Sequence, residues 1–261
     1  MTSPVTETET TITTRIDIAP TTEKFEYQVE SDSSSNVILT ITGEQSVTID
    51  IHVQKNARLN LVVIQAGTGT SKSCVSHAFI LEEDAKLHTT WLTHDNQDTV
   101  QQIEVVFNGE RCHADLFGLG RLKNTQHMLT QTKLIHVYPN TTAKQYFKRV
   151  VEDSAVSDFQ GLVHVKADAQ KTDSNQYSHN LILSDQARAL VRPQLEIFAD
   201  DVKCSHGATV GQMDDEQVFY LQSRGFSIHD AKGILLTGFL DEIIDEIPFE
   251  ADQSTYRTWF A

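Results

Sequence analysis

The sequence predicts a mainly β protein, a parallel β-helix (β-solenoid) core followed by a short C-terminal α-helical region. Apolar residues recur at every second position over long stretches between Lys24 and Phe198, which is the period of half-buried strands. Short polar turns with a small central residue recur at intervals of 28, 27, 31 and 26 residues. After Asp214 the apolar period rises from about two to about four residues, which indicates helices.

The recurring turns indicate a structural repeat. Their predicted centres are Ala57, Ala85, Cys112, Ala143 and Ala169. Turns in an ordinary β-sandwich follow one another every 8 to 12 residues or so, and the longer interval therefore favours a coil repeated along a solenoid axis. Each strand of a solenoid pairs with the coils above and below it, and the two ends leave unpaired strand edges. We expect these end coils to be where another chain pairs.

The sequence divides into four segments. We predict a flexible N-terminal tail over 1–24, a β-helix core over 25–211, a C-terminal helical region over 212–250 and a tail over 251–261. The N-terminal segment is dominated by Thr, Glu and Asp, and it has too little apolar surface to offset the entropy lost on ordering.

Composition narrows the classes of partner and the compartment. The chain has 261 residues and a formal net charge of -15, which disfavours nucleic acids and anionic membranes because these bind clustered Lys and Arg. The three cysteines, Cys74, Cys112 and Cys204, are odd in number and far apart, which is typical of a reducing compartment. The sequence contains neither an apolar run of membrane-spanning length nor a secretory or transit signal. We therefore expect a cytoplasmic protein.

Two residues that could bind a metal lie in the last predicted strand. Cys204 and His206 are two positions apart and therefore face the same side of that strand. From the residues alone, the favoured interpretation is a small buried cysteine beside a hydrogen-bonded histidine, because free cysteine is among the most buried residue types. If Asp200 and Asp201 lie close to the thiol, they would raise its pKa and keep Cys204 protonated.

Two helices are predicted after Asp214. The first, over 214–225, begins with carboxylates and ends at Arg224 and a glycine, an order that the helix dipole and glycine C-caps favour. The second begins at Ser227 and ends before Pro248. The whole helical region holds nine acidic and two basic residues beside a wide apolar stripe. Such a stripe suits docking on a protein with a basic rim, although packing on its own domain is the commoner use.

Sequence motifs of several enzyme classes are missing. The chain has no Gly-x-x-x-x-Gly-Lys-Ser/Thr loop, no Gly-x-Ser-x-Gly elbow and no His-Glu-x-x-His motif. We therefore expect a non-catalytic subunit that binds no nucleotide by itself. The alternative is a carbohydrate-active β-helix enzyme of the lyase or hydrolase kind, with carboxylates, basic residues and aromatic residues along one solenoid face. The scattered aromatic residues of this chain favour the non-catalytic interpretation.

Seven short segments match the pattern of a known family. They are Arg192-Pro-Gln-Leu-Glu-Ile, Asp200-Asp-Val-Lys-Cys-Ser-His-Gly-Ala-Thr-Val-Gly211, Phe219-Tyr-Leu-Gln-Ser-Arg-Gly225, Gln170-Lys-Thr-Asp173, His179-Asn-Leu-Ile-Leu-Ser184 and, more weakly, Phe117-Gly-Leu and Gln126-His-Met128. Together they resemble the SufB/SufD family, the scaffold proteins of SUF iron-sulfur cluster assembly, and its SufD members most of all.

The resemblance implies a right-handed parallel β-helix, a scaffold role and two kinds of partner. One partner is a SufB-like scaffold chain or a second copy of this chain, and the other is a SufC-type ABC ATPase docked on about 212–247. The iron-sulfur cluster would be transient and shared with the partner chain. By position, His206 matches a family histidine at the scaffold interface near the proposed cluster site, and Cys204 is the second candidate ligand. The residues expected to contact the ATPase are Asp215, Phe219, Tyr220, Arg224, Leu235 and Phe239.

The start of the strand pattern differs from that of the family. SufD-type proteins usually carry a long helical extension before the β-helix, whereas here the strand pattern begins near residue 25. We therefore expect a short form that lacks this N-terminal helical domain. Such a chain could form a homodimer in place of the usual SufB-SufD pair.

Overall fold

The core of the protein is a β-solenoid of two parallel sheets. The structure is a computed structural model that describes residues 13–249 and 253–260. In chain order its strands are β1 (Thr13–Ile18), β2 (Lys24–Val29), β3 (Ser34–Thr42), β4 (Gln45–Val53), β5 (Arg58–Ala66), β6 (Lys72–Leu81), β7 (Lys86–His94), β8 (Asp98–Phe107), β9 (His113–Leu122), β10 (His127–His136), β11 (Thr142–Val151), β12 (Val156–Val165), β13 (Asp173–Ile182), β14 (Arg188–Ile197) and β15 (Lys203–Gln212). Sheet A holds the odd-numbered strands and sheet B the even-numbered ones, each paired in parallel with the strand two places away. The predicted solenoid is therefore confirmed.

The repeat is visible in the register of sheet A. Equivalent positions at the starts of successive strands are Arg58, Lys86, His113, Thr142, Asp173 and Lys203. These positions are separated by 28, 27, 29, 31 and 30 residues. A nearly constant coil length keeps inward side chains of neighbouring coils stacked in columns along the axis.

Two of the predicted turn centres are wrong by two or three residues. The register makes Thr141 and Thr172, rather than Ala143 and Ala169, equivalent to Cys112. The preceding residue has a positive φ in each case, 61° at Asn140 and 59° at Lys171. This left-handed backbone conformation, rather than a small side chain, therefore marks the turn.

The interior changes character along the solenoid axis. In the N-terminal and central coils it is a continuous apolar cluster that includes Leu59, Trp91 and Phe147. In β13 the inward row is polar and buried, and it consists of Ser174, Gln176, Ser178 and Asn180. On the sheet A side, polar side chains therefore line the interior next to the last coil.

Three helices follow the solenoid: α1 (Asp215–Ser223), α2 (Ile228–Ile244) and α3 (Gln253–Phe260). The predicted starts of the first two helices are confirmed, and Asp214 and Ser227 are their N-caps, which accept hydrogen bonds from backbone N–H groups of the first turns. The second half of α2 and all of α3 pack on the outer face of sheet A. The buried residues of this contact include Ile38, Val62, Leu92, Phe117, Val150, Leu240, Ile243, Ile244, Ile247, Tyr256 and Phe260.

Both segments predicted to be tails contain regular structure, so that prediction is wrong for the residues of β1 and α3. Strand β1 pairs with β3 over Thr13–Ile18 and adds one more strand to sheet A. Helix α3 buries Tyr256 and Phe260 against the same sheet, and this burial stabilises a segment whose isolated helix would be too short to be stable. Residues 1–12 of the predicted N-terminal tail lie outside the described part of the chain.

Candidate functional site

The last coil of the solenoid is open. Strands β14 and β15 end the two sheets, and within residues 13–249 and 253–260 each pairs with a single neighbouring strand, β12 and β13 respectively. Burial falls sharply at this end, since β15 has no buried residue while β13 alternates between buried and half-buried positions. A row of backbone N–H and C=O groups on each edge is therefore left for pairing.

Cys204 and His206 lie in the inward row of β15. In register they continue the columns of Ser174 and Gln176, which are fully buried inside β13. The prediction that thiol and imidazole share one face is therefore confirmed by the register. Because no further coil follows β15 in the described part of the chain, this inward row is open at the end of the solenoid.

Cys204 is partly a core residue. Its side chain is half-buried against a small cluster that includes Val163 and Ala199. Burial is the main reason that the thiol pKa is raised, and the nearby Asp173 adds to it. The carboxylate that acts on Cys204 is therefore Asp173, not the Asp200 and Asp201 expected from the sequence. Both the packing and the raised pKa favour a neutral thiol in this state.

His206 differs from Cys204 in being exposed at the open end. Its neighbour in register, Gln176, is fully buried and holds the adjacent position in the same column. Among the described residues, no three His, Cys, Asp or Glu side chains are arranged to hold a metal ion. The structure thus places His206 beside Cys204 in one row.

Four of the predicted partner-binding residues lie exposed at α1. Asp215 and Arg224 are exposed, as are Phe219 (71 %) and Tyr220 (56 %). The Arg224 guanidinium lies 5.2 Å from the centre of the Tyr220 ring. Val218 is the residue of α1 that is buried, so most of this helix faces solvent. Large exposed aromatic residues on one short helix are typical of an interaction surface.

The other two predicted residues, Leu235 and Phe239, are half-buried on α2. The Phe239 carbonyl accepts a hydrogen bond from Lys148 Nζ at 3.0 Å, and its ring lies 4.2 Å below the same ammonium group. Phe239 therefore holds α2 on the solenoid. The remaining exposed apolar residues of this region are Phe226, Ile228 and Ile234. Ile228 and Phe239 belong to one apolar stripe of α2, whose start is exposed and whose end is buried on the solenoid.

A groove on the outer face of sheet B bears on the carbohydrate-active alternative. It encloses about 480 Å³, and no Phe, Tyr or Trp of the described residues lines it. Its floor is a ladder in which Gln102 donates to Gln131 and Gln131 donates to Gln160. Among the described lining residues the one carboxylate, Glu104, bonds to Lys133 at 2.9 Å. A glycosidase needs two free carboxyl groups, and this groove does not supply them.

Comparison with known protein families identifies the family to which the chain belongs. Residues 14–239 match the model of the SufBD core domain of SUF system FeS cluster assembly, a span from β1 to the middle of α2. The chain belongs to the SufBD core family. The match includes Cys204, His206 and α1.

No helix in the described ranges is both long and apolar enough to span a membrane.

Individual relatives agree with the SufBD assignment. The chain is 33 % identical over 197 residues to the iron-sulfur cluster assembly protein SufD of Escherichia coli. The aligned stretch covers 76 % of this chain and 47 % of that protein. It is 30 % identical over 212 residues to a SufBD family protein of Synechocystis sp., covering 81 % and 47 % of the two chains. It is 25 % identical over 215 residues to SufB of Bacillus subtilis, covering 82 % and 46 %. The chain therefore spans about half the length of these relatives.

Proposed function

We propose that this SufBD protein is a scaffold subunit of a SUF-type iron-sulfur cluster assembly complex. The observation that carries the proposal is the open last coil, where the edges of β14 and β15, unpaired within the described residues, flank the row of Cys204 and His206. The partner at this end would be a SufB-like chain or a second copy of this chain. Pairing across both edges would satisfy their backbone groups and bring side chains of the partner to the row.

The cluster would be cargo that is built at this interface. Iron-sulfur sites use several ligands, and His206 and Cys204 supply two at most, so the partner chain would supply the others. A neutral imidazole ligates iron without first losing a proton, whereas a thiol must ionise. The raised pKa of Cys204 therefore supports His206 as the principal ligand from this chain.

The second partner would be a SufC-type ABC ATPase docked on α1 and the first half of α2. The support is the set of exposed apolar residues there, Phe219, Tyr220, Phe226, Ile228 and Ile234. The surrounding helical region carries nine acidic and two basic residues, a charge that suits a basic rim on the ATPase. The second half of α2 is fixed to sheet A, so force applied to α1 would reach the solenoid.

Two variants separate the proposed interfaces. Phe219→Asp places a charge on the exposed ring position of α1, and Val210→Asp places one in the inward row of β15, where Val210 is 52 % exposed. We expect Phe219→Asp to lose co-purification with the ATPase and to keep scaffold pairing, and Val210→Asp to show the reverse. Affinity co-purification and light scattering of the co-expressed chains measure both. Unchanged binding in both variants would contradict the proposed interfaces.

A further inference from the structure

The interior behind the open coil contains fully buried polar atoms without hydrogen-bond partners. Within the described residues these include Ser174 Oγ, Gln176 Oε1 and both side-chain polar atoms of Gln145. Gln145, Gln176 and His206 occupy one inward column in three successive strands of sheet A. Buried polar atoms are nearly always satisfied in folded proteins, so these positions call for a partner. Gln176 is the one that adjoins the candidate ligand.

The amide group of Gln176 has a defined direction. Its Nε2 donates to Thr132 Oγ1 at 3.5 Å, across the interior and toward the N-terminal end of the solenoid. The amide lies over Gly161, where a Cβ atom would be only 2.0 Å from Nε2. Oε1, the other terminal atom of the same amide, is buried and has no hydrogen-bond partner among the described residues.

The last coil offers a suitable donor in His206. On the sheet B side, the residue paired with Gly161 is Pro193, whose side chain has no hydrogen-bond donor. On the sheet A side, the inward residue paired with Gln176 is His206. Adjacent strands are about 4.8 Å apart, which is within reach of a hydrogen bond between two long side chains. An imidazole carries one N–H when neutral and two when charged, so it can donate to Oε1 in either state.

We propose that Gln176 is the positioning residue of His206. The proposed contact forms when a change of side-chain rotamer brings one ring N–H of His206 to Gln176 Oε1, which has no partner in the described structure. This bond fixes the tautomer and leaves the lone pair of the other nitrogen facing out of the open coil. Metal-binding histidines usually have their second nitrogen held in this way. The role of His206 as a ligand rests on the function proposed above, whereas the contact with Gln176 can be measured in the free chain.

The tautomer of His206 tests this contact directly. The full chain, with ¹⁵N in its histidine rings, is recorded in long-range ¹H–¹⁵N spectra at a pH where the rings are neutral, and His206→Ala identifies the signals. In the unchanged chain we expect one protonated and one unprotonated nitrogen. In Gln176→Leu the two ¹⁵N shifts should approach each other. Gln145→Leu is the matched control, because it removes a buried glutamine of the same column one coil further away, and it should leave the signals unchanged.

Gly161→Ala is a second variant that keeps Gln176 and displaces its amide. If Gln176→Leu does not fold, this variant should produce the same approach of the two shifts. Averaged signals in the unchanged chain, unchanged signals in the variants, or an equal effect of Gln145→Leu would each overturn the proposal. Normal cluster loading in His206→Ala together with a Gln176-dependent tautomer would overturn the proposed function and leave the positioning contact standing.

Discussion

Lys148 is a cation held in an almost closed site between the solenoid and α2. Its side chain is 2 % exposed, and its Nζ lies 2.6 Å from Glu242 Oε2. Burial lowers the pKa of Lys148 even though Glu242 opposes that effect. For Glu242, burial acts to raise the pKa, but hydrogen bonds from Lys148 and Tyr146 outweigh it and the pKa is lowered. The pair therefore ties α2 to sheet A through one buried charge and one largely exposed charge.

Glu242→Gln tests the contribution of this pair. A carboxyl group whose pKa is lowered in the folded state adds stability above its ordinary pKa, and that stability is lost as the pH falls through the folded value. At neutral pH we expect a loss of roughly 1 to 2 kcal/mol in the free energy of unfolding, because the hydrogen bond of a buried ammonium group loses its negatively charged acceptor and keeps only a neutral one. The difference from the unchanged chain should shrink below about pH 4. Thermal unfolding at several pH values measures it.

Glu246→Gln is the matched control for that experiment. Glu246 follows α2 and lies 3.6 Å from Lys144 in an exposed pair, which should contribute little. The role assigned to Lys148 would be contradicted if the loss of unfolding free energy in Glu242→Gln did not change with pH. An equal loss in Glu246→Gln would contradict it as well.

Residues such as Lys148 and Gln176 mark the limit of what the sequence could predict. Cys204 and His206 could be placed on one face because a strand alternates, and that alternation requires only local spacing. The burial of Gln176 depends on its register with strands of other coils, and that of Lys148 on how α2 packs. Neither relation is visible in a window of the sequence. The local period therefore predicted the candidate ligands but not the groups that surround them.

At the scale of the elements, an aromatic stack inside the solenoid depends on one glycine. The Phe147 ring lies 6.3 Å from the Trp91 ring and 5.2 Å from the Phe159 ring, measured between centroids. Gly118, on the neighbouring strand β9, leaves the room that Phe147 needs, since a Cβ there would be 2.3 Å from Phe147 Cδ1. This close approach gives a physical reason for the glycine in the Phe117-Gly-Leu segment.

We expect Gly118→Ala to destabilise the protein by about 1 to 3 kcal/mol, because the added methyl group forces Phe147 out of a closely packed interior. Gly238→Ala is the control. It lies in α2, where an added Cβ would meet no described atom within 4 Å, and alanine there should raise stability by about 0.5 to 1 kcal/mol. Chemical denaturation of both variants measures the free energies. If Gly118→Ala left the free energy of unfolding unchanged, the aromatic stack around Phe147 could shift without a loss of stability, and the prediction would be wrong.

The strands and helices themselves were largely predictable from the sequence. Their apolar periods are local, and the caps at Asp214 and Ser227 use short-range side-chain bonds. The turn centres were predictable only where a small residue follows the left-handed position, as Ala57 follows Asn56, and failed where threonine takes that place. Helix α3 was missed because its burial on sheet A supplies stability that its eight residues lack on their own.

At the scale of the whole molecule, two surfaces are left uncovered by the described residues. The helices cover the outer face of sheet A, while the last coil remains open and α1 remains exposed. The proposed scaffold interface is thus formed by strand edges, and the proposed ATPase interface by the surface of a helix. The formal charge of -15 should favour partners with basic surfaces.

The proposed role of His206 in this SufBD chain is to contribute to cluster assembly at the open coil. It is tested most directly by the iron and acid-labile sulfide content of the co-expressed complex with its scaffold and ATPase partners. We expect His206→Ala to reduce both by about tenfold or more while the chains still co-purify. Cys204→Ala should cost less, because its half-buried thiol has a raised pKa. Normal iron and sulfide in the His206→Ala complex would contradict the account.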